Sequence, residues 1–194
     1  KKHVSEANKL NITPIDLVVC NLYPFEQTIS KKSVKLSEAV EAIDVGGPTM
    51  IRAAAKNFKH VIVVVDPKDY ERASQFLSRH PERSEGSKKR NDRDSSPPAQ
   101  NDIKRELAAK AFAHLSFYDS QVTSYLGKDQ FPDEITLPGR KLKDLRYGEN
   151  PHQKAALYFY PGNSSSLGKL TKVWGRDLSL TNVSDVNAGL STVR

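Results

Sequence analysis

Sulfur is scarce in this chain: one cysteine, Cys20, and one methionine, Met50, among 194 residues. A lone thiol cannot close an internal disulfide, and it has no second cysteine or nearby histidine with which to build a metal cluster. The five histidines, His3, His60, His80, His114 and His152, show no His-x-His or His-x3-His pairing, so no metal site is supported. Long apolar runs are missing too. Val61 to Val65 is far short of a membrane span, and no charged-then-apolar leader opens the chain. These absences favour a soluble, cytoplasmic protein. Apolar content of 37% and a mean hydropathy of −0.59 are low for a folded domain, and the deficit is local, as shown below. The chain starts at Lys1 and stops at Arg194 within a helix-like pattern, with no methionine near its start, so a fragment is expected.

A net charge of +7 raises nucleic-acid binding as a reading. The distribution argues against it. Residues 139–177 hold eight Lys/Arg and three Asp/Glu, and elsewhere the signs intermingle. No helix-turn-helix, zinc finger or aromatic-studded RNA-binding strand accompanies them. A basic excess equally suits an enzyme of anionic small molecules.

Continuous apolar character from Ile15 to Leu22 predicts a strand buried on both faces, as in a parallel sheet. Pro24 ends it, which puts Asn21 and Tyr23 at a strand's carboxyl end, where open α/β sheets bind ligands. Ser37 is the expected N-cap of a helix carrying Ala39, Val40 and Ile43. A second helix over Met50 to Phe58, a strand over Val61 to Val65 and a helix from Pro67 through Tyr70 and Phe76 follow. This order implies an α/β fold with an open parallel sheet and flanking helices. From Ser78 to Asp102, Ala99 is the one apolar side chain besides Gly and Pro, with six Lys/Arg against five Asp/Glu. Such a stretch cannot offset the entropy of ordering, so a disordered, protease-sensitive insertion is expected there. Helical spacing resumes at Ile103 and runs through Leu107, Ala111, Phe112, Leu115 and Tyr118. Residues 127–145 read as a linker. A second unit over 146–194 then opens with a strand at Ala155 to Tyr160, a Gly/Ser loop and a helix over Val183 to Val193.

The stretch 43–58 carries the most chemistry. Gly46 and Gly47 are followed by Pro48, which suits the first helical position, and a helix starting there aims free N–H groups at whatever lies beside Asp44. Met50, Ala54 and Phe58 are the expected apolar stripe, with Arg52 and Lys56 together on another face. Two readings stay open: an anion-binding helix start with two projecting cations, or an ordinary amphipathic helix whose Asp44 merely caps the turn.

Three ordered motifs extend this picture: Cys-Asn-Leu-Tyr-Pro-Phe at 20 to 25, Ile-Asp-Val-Gly-Gly at 43 to 47 with Arg-Ala-Ala-Ala-Lys-Asn at 52 to 57, and Leu-Arg-Tyr-Gly-Glu-Asn-Pro-His-Gln at 145 to 153. Together they resemble the bifunctional purine-biosynthesis enzymes that join AICAR (aminoimidazole carboxamide ribotide) transformylase to IMP cyclohydrolase. The resemblance implies that residues 1–126 are the latter part of a methylglyoxal-synthase-like cyclohydrolase domain. Residues 146–194 would begin a cytidine-deaminase-like transformylase domain. It implies two reactions in the intact protein: closure of formyl-AICAR to IMP with loss of water, using no cofactor, and formyl transfer from 10-formyltetrahydrofolate to AICAR.

The resemblance also distributes roles. Lys56 matches a proton-transfer lysine whose pKa the neighbouring Arg52 would lower, Asp44 a carboxylate that fixes the reacting amide, and Tyr23 a hydrogen-bond donor to the formyl or developing oxyanion. On this reading Asp44 and Lys56 flank one base. Cys20, Asn21, Val45 and Gly46 match the nucleotide pocket. Arg146 and Tyr147 match the AICAR-binding pair, and Asn182 a further nucleotide contact. Purine nucleotide precursors are the implied partners, with a homodimer, no nucleic acid and no membrane. Against these stand plainer readings of the same residues: Tyr23 as a packing aromatic, Asn21 as a turn former, Arg146 as a linker charge. At the level of the whole chain the alternatives are a non-catalytic nucleotide- or partner-binding fragment, or the product of a decayed coding region.

Overall fold

A computed structural model describes residues 2–78, 98–161 and 166–193. The chain divides into two units, Lys1–Asp119 and Ser120–Arg194.

In the first unit the elements run α1 (Lys2–Lys9), β1 (Leu17–Val19), α2 (Phe25–Ile29), α3 (Leu36–Glu41), α4 (Gly46–Lys56), β2 (Ile62–Val64), a 3-10 turn (Pro67–Asp69), α5 (Tyr70–Ser78) and the greater part of α6 (Pro98–Leu126), whose end from Ser120 belongs to the second unit. β1 and β2 pair in parallel, Leu17 with Ile62, Val18 with Val63 and Val19 with Val64. Two further bonds prolong the ladder, from Ile62 N–H to the Asp16 carbonyl at 2.8 Å and from Cys20 N–H to the Val64 carbonyl at 3.0 Å. Side chains alternate across a strand, and β2 uses both faces. Val61, Val63 and Val65 pack with Ile51, Ala54 and Ala55 of α4 and Ala108, Ala111 and Leu115 of α6. Ile62 and Val64 pack on the other side with Ala73 and Phe76 of α5 and Leu107 of α6. This is the α/β architecture expected, a parallel sheet between helices.

Several details differ from the sequence expectation. β1 is shorter and more open than a strand buried on both faces, since Ile15 and Val19 are exposed. Ser37 is not an N-cap: α3 starts at Leu36, after an extended Lys35 in the cap position, so Ser37 is its second residue. α4 begins at Gly46, which makes Pro48 its third residue; its missing N–H still falls in the first turn, where no intrahelical acceptor exists. The buried stripe of α4 is Ile51, Ala54 and Ala55 with Phe58 beside it, and Met50 is exposed. Spacing of three, four and seven gives a broader stripe toward the sheet than the four-residue row through Met50. Helix α1, in a mostly polar stretch, and the five-residue helix α2, directly after Pro24, are elements that the sequence expectation does not include. α6 starts at Pro98, five residues before Ile103, so 98–102 and Ser78 are helical; the rest of the expected insertion, 79–97, lies outside the described residues.

In the second unit β3 (Arg140–Leu145) pairs antiparallel with β4 (Ala155–Phe159), and α7 (Leu180–Thr192) follows a short 3-10 turn (Ser166–Lys169). The stretch 127–145 is therefore not linker throughout. Arg-Lys-Leu-Lys-Asp-Leu hides its strand character because a register irregularity between Lys141 and Lys143 breaks the two-residue alternation. Among the described residues of this unit, Leu145 and Val183 are the buried large apolar side chains, while Phe131, Val173 and Trp174 are exposed.

Candidate functional site

The carboxyl ends of β1 and β2 gather most of the first unit's candidates. Leaving β1, the chain passes through Cys20, Asn21, Leu22 and Tyr23. The connector between α3 and α4 brings Asp44 against it. One oxygen of the Asp44 carboxylate accepts the Gly47 N–H at 2.7 Å, and the other accepts the Tyr23 N–H at 3.3 Å. The anion held at the start of α4 is thus Asp44's own carboxylate. Free N–H groups of the first turn and the positive end of the helix dipole favour a negative charge at that place. Capping leaves lone pairs over, because an ionised carboxylate accepts at about four sites.

Gly47 makes this approach possible. A Cβ there would lie 2.6 Å from Asp44 Oδ2 and 2.8 Å from Leu22 Cδ2, so no side chain fits without displacing the carboxylate. Gly46 is different: a Cβ there would meet nothing within 4 Å, and Val45 beside it is 73% exposed. Tyr23 is 60% exposed, with its phenol outside the core. Cys20 is half-buried, and burial, helped by the charge of Asp44, pushes its thiol pKa up, away from the thiolate form. Asn21 donates its amide to the Tyr70 hydroxyl at 3.1 Å, joining the end of β1 to the start of α5.

Lys56 lies at the other end of α4. It is the last residue of α4, and ten residue steps from Gly46 put the two Cα atoms about 15 Å apart along the helix axis. The expectation that Asp44 and Lys56 flank one base concerns a bound ligand; the protein by itself places them toward the two ends of α4. Lys56 is exposed, and among the described residues nothing pairs with its ammonium. Arg52, one turn earlier, is ion-paired with Asp119 of α6, so its charge is already answered.

Three residues of this region carry no motif of their own. The Tyr118 hydroxyl accepts the Asp44 N–H at 2.7 Å and donates to the Ala42 carbonyl at 3.3 Å, while its ring meets Phe25 edge-on with centroids 6.0 Å apart. Sequence spacing shows Tyr118 as one more apolar position of a helix. The available hint is chemical: a buried phenol needs a polar partner. Lys110 bonds Asp66 at 2.7 Å and Asp69 at 2.6 Å, tying α6 to the turn after β2, and Tyr70 meets Asn21. The Lys110 bond and the Lys68 N–H hold the Asp66 carboxyl below its ordinary pKa.

In the second unit the backbone of Arg146 and Tyr147 runs beside the start of α7. Arg146 N–H donates to the Leu178 carbonyl at 2.9 Å, and Leu180 N–H donates to the Tyr147 carbonyl at 3.1 Å. The Arg146 guanidinium stacks over the Tyr147 ring, 4.7 Å from its centroid, and also donates to its hydroxyl at 3.2 Å. Arg146 as a whole is exposed. Asn182 has a structural duty: its side-chain oxygen accepts the Ser179 N–H at 3.1 Å and its own N–H donates to Ser179 Oγ at 3.3 Å, a reciprocal capping box. The three expected residues of this unit are thus neighbours, although Asn182 spends its oxygen on the cap.

Among the described residues no cluster of His, Cys, Asp and Glu is arranged to hold a metal ion, and no helix is long and apolar enough to cross a membrane.

Residues 54–194 match the family described as the AICARFT/IMPCHase bienzyme, and residues 2–49 match the MGS-like domain. The two matches meet within α4, a single helix of the first unit, so their border is not a structural one. The bifunctional purine biosynthesis protein PurH of Bacillus mycoides (strain KBAB4) is 44% identical over 99% of this chain and 35% of that protein. PurH of Thermoanaerobacter sp. (strain X514) is 40% identical over 100% of this chain and 36% of that protein. PurH of Halalkalibacterium halodurans is 42% identical over 100% and 35% respectively. The chain therefore spans about a third of the length of the curated relatives it matches.

Proposed function

Because the chain belongs to the AICARFT/IMPCHase bienzyme family, we propose that its first unit serves the closure of formyl-AICAR to IMP in purine biosynthesis. The observation that carries this reading is the Asp44 carboxylate, held by two backbone N–H groups beside an exposed Tyr23 at the carboxyl end of a parallel strand. In the reaction the carboxamide nitrogen attacks the formyl carbon, a C–N bond forms, and the carbinolamine then loses water. Both reacting groups belong to one molecule, so the protein's work is to hold a near-attack geometry and to move protons.

Asp44 suits the first task. Its remaining lone pairs accept an N–H of the attacking carboxamide, which sets the nitrogen's orientation and draws off its proton as the C–N bond forms. Tyr23, a neutral O–H donor, serves the formyl oxygen as it becomes the carbinolamine hydroxyl. Cys20, Asn21, Val45 and Gly46 line the approach, and the open space over Gly46 admits a flat ring close to the backbone. Lys56, at the far end of α4, takes the proton-transfer role that the family resemblance implies.

For the second unit we propose that Arg146 and Tyr147, with Asn182 nearby, contribute to AICAR binding for formyl transfer from 10-formyltetrahydrofolate. The planar guanidinium fits a phosphate bidentately. A cytoplasmic homodimer acting on purine nucleotide precursors, without nucleic acid, completes the proposal.

The test is IMP formation from synthetic formyl-AICAR by the full-length protein. Asp44→Asn is expected to lower kcat by about 100-fold or more, in the range of a lost general acid–base group. A wild-type protein that forms no IMP ends this reading. Lys56→Ala is assayed alongside: unchanged turnover in a folded variant removes Lys56 from the mechanism and leaves Asp44 in it.

A further inference from the structure

The connector Ala42 to Val45 carries Asp44 into the site, yet it has no regular structure of its own. α3 ends before it and α4 starts after it. The N–H groups of Ala42 and Ile43 bond back to α3, whereas the backbone at Asp44 is held by a side chain remote in sequence. The buried Tyr118 hydroxyl takes the Asp44 N–H at 2.7 Å and gives its proton to the Ala42 carbonyl at 3.3 Å. The ring of Tyr118 is set edge-on against Phe25, which is fully buried and follows Tyr23 by two residues. One phenol therefore touches both segments that converge on the carboxylate. The next residue, Asp119, pairs with Arg52 on α4, so this one turn of α6 grips the connector and the helix that caps Asp44.

The hydroxyl is suited to this work by its chemistry. It is donor and acceptor at once, and both functions are used, so only the neutral phenol satisfies both backbone groups. Burial, with the negative charges of Asp44 and Asp119 adding to it, pushes the phenol pKa up and keeps it neutral.

We propose that Tyr118 is the positioning residue for Asp44: by fixing the backbone on which the carboxylate sits, it sets the direction in which the spare lone pairs meet the substrate amide. The proposal rests on the cyclohydrolase reading above. Tyr118 touches neither substrate nor reacting atom. It acts through Asp44.

The experiment compares wild-type full-length protein with Tyr118→Phe, which keeps the ring and its contact with Phe25 and removes only the hydroxyl. Expected are a fall in kcat for IMP formation of about tenfold or more, as misplacement by a fraction of an ångström produces, with KM for formyl-AICAR changing far less. Amide hydrogen exchange at Asp44 is expected to quicken severalfold, because its N–H loses its acceptor. A core variant in the apolar cluster with α4 and β2, Leu115→Ala, serves as the stability control and is expected to keep its kcat while losing stability. Wild-type kcat and unchanged Asp44 exchange in Tyr118→Phe overturn the proposal. So does an equal loss of kcat in Leu115→Ala, which would reduce the effect to general destabilisation. A wild-type protein that forms no IMP removes the cyclohydrolase reading itself, and that failure is recognisable because it is read on the wild type rather than on the variant.

Discussion

Two adjacent glycines in one turn do different work. At Gly47 the space a side chain needs is filled by the Asp44 carboxylate and Leu22, whereas at Gly46 it is open. Alanine is the better helix former at both, by up to about 1 kcal/mol in a helix interior and less in a first turn. At Gly47 that gain is outweighed by the contact at 2.6 Å, so Gly47→Ala is expected to cost about 1–3 kcal/mol, the usual range of overpacking, and to displace Asp44. Gly46→Ala is expected to leave stability level or slightly raised and to increase KM for the nucleotide. Urea midpoints and kinetics on the two variants check the contrast; equal midpoints would remove the steric account of Gly47. The sequence shows a Gly-Gly pair beside an aspartate, but it cannot show which glycine the carboxylate leans on. That depends on Leu22, which arrives from another element.

At the scale of elements, β2 and α4 show what pattern reading recovers and where it slips. Five consecutive branched apolar residues, Val61 to Val65, announce a strand covered on both sides, and the packing with α4, α5 and α6 is just that. The helix over 46 to 56 is equally legible, but its buried side is not, since rows through Met50 or through Ile51 both satisfy helical spacing. The sheet decides between them. Ile51→Ala is therefore expected to cost about 2–5 kcal/mol, as for a fully buried large aliphatic side chain, while Met50→Ala stays within about 0.5 kcal/mol. Chemical denaturation of both variants separates the two rows, and the reverse ranking would mean that α4 is rotated. In α6 the same difficulty affects a charge: Lys104, within Ile-Lys-Arg-Glu-Leu, reads as solvent-facing, yet it is 1% exposed and donates to the Lys59 carbonyl at 3.1 Å. Pattern analysis places charged residues outside because an unsatisfied buried charge is costly, and it cannot foresee the carbonyl that receives this one.

For the molecule as a whole, ion pairs to α6 supplement the apolar core of the first unit. Lys110 reaches Asp66 and Asp69, and Arg72 of α5 makes a two-pronged pair with Glu106. The hydrogen bond from Lys110 lowers the Asp66 pKa, and that from Arg72 lowers the Glu106 pKa. A carboxyl whose folded pKa is depressed contributes stability that is present above its unfolded pKa, near pH 4, and is lost as pH falls through the folded value. The urea midpoint is thus expected to drop on acidification below about pH 4. Lys110→Met is expected to flatten that drop and, because the pair is partly exposed, to cost on the order of 0.5–1 kcal/mol at neutral pH. A pH profile of the midpoint unchanged by Lys110→Met would show that this ion pair is not involved.

The amino-acid sequence by itself determined the parallel α/β character of the first unit, the strand end carrying Cys20 to Tyr23, and the motifs that mark the family, because each of these is written in neighbouring residues. Tertiary structure alone decided that the Tyr23 N–H joins the Asp44 carboxylate, that Ile51 rather than Met50 faces the sheet, and that Tyr118 holds the connector between α3 and α4. These are meetings of groups far apart in the chain; the Tyr118 hydroxyl lies 74 residues from the N–H it accepts. Local periodicity records which face of an element is apolar, and only the packed fold brings one particular donor within reach of one particular acceptor.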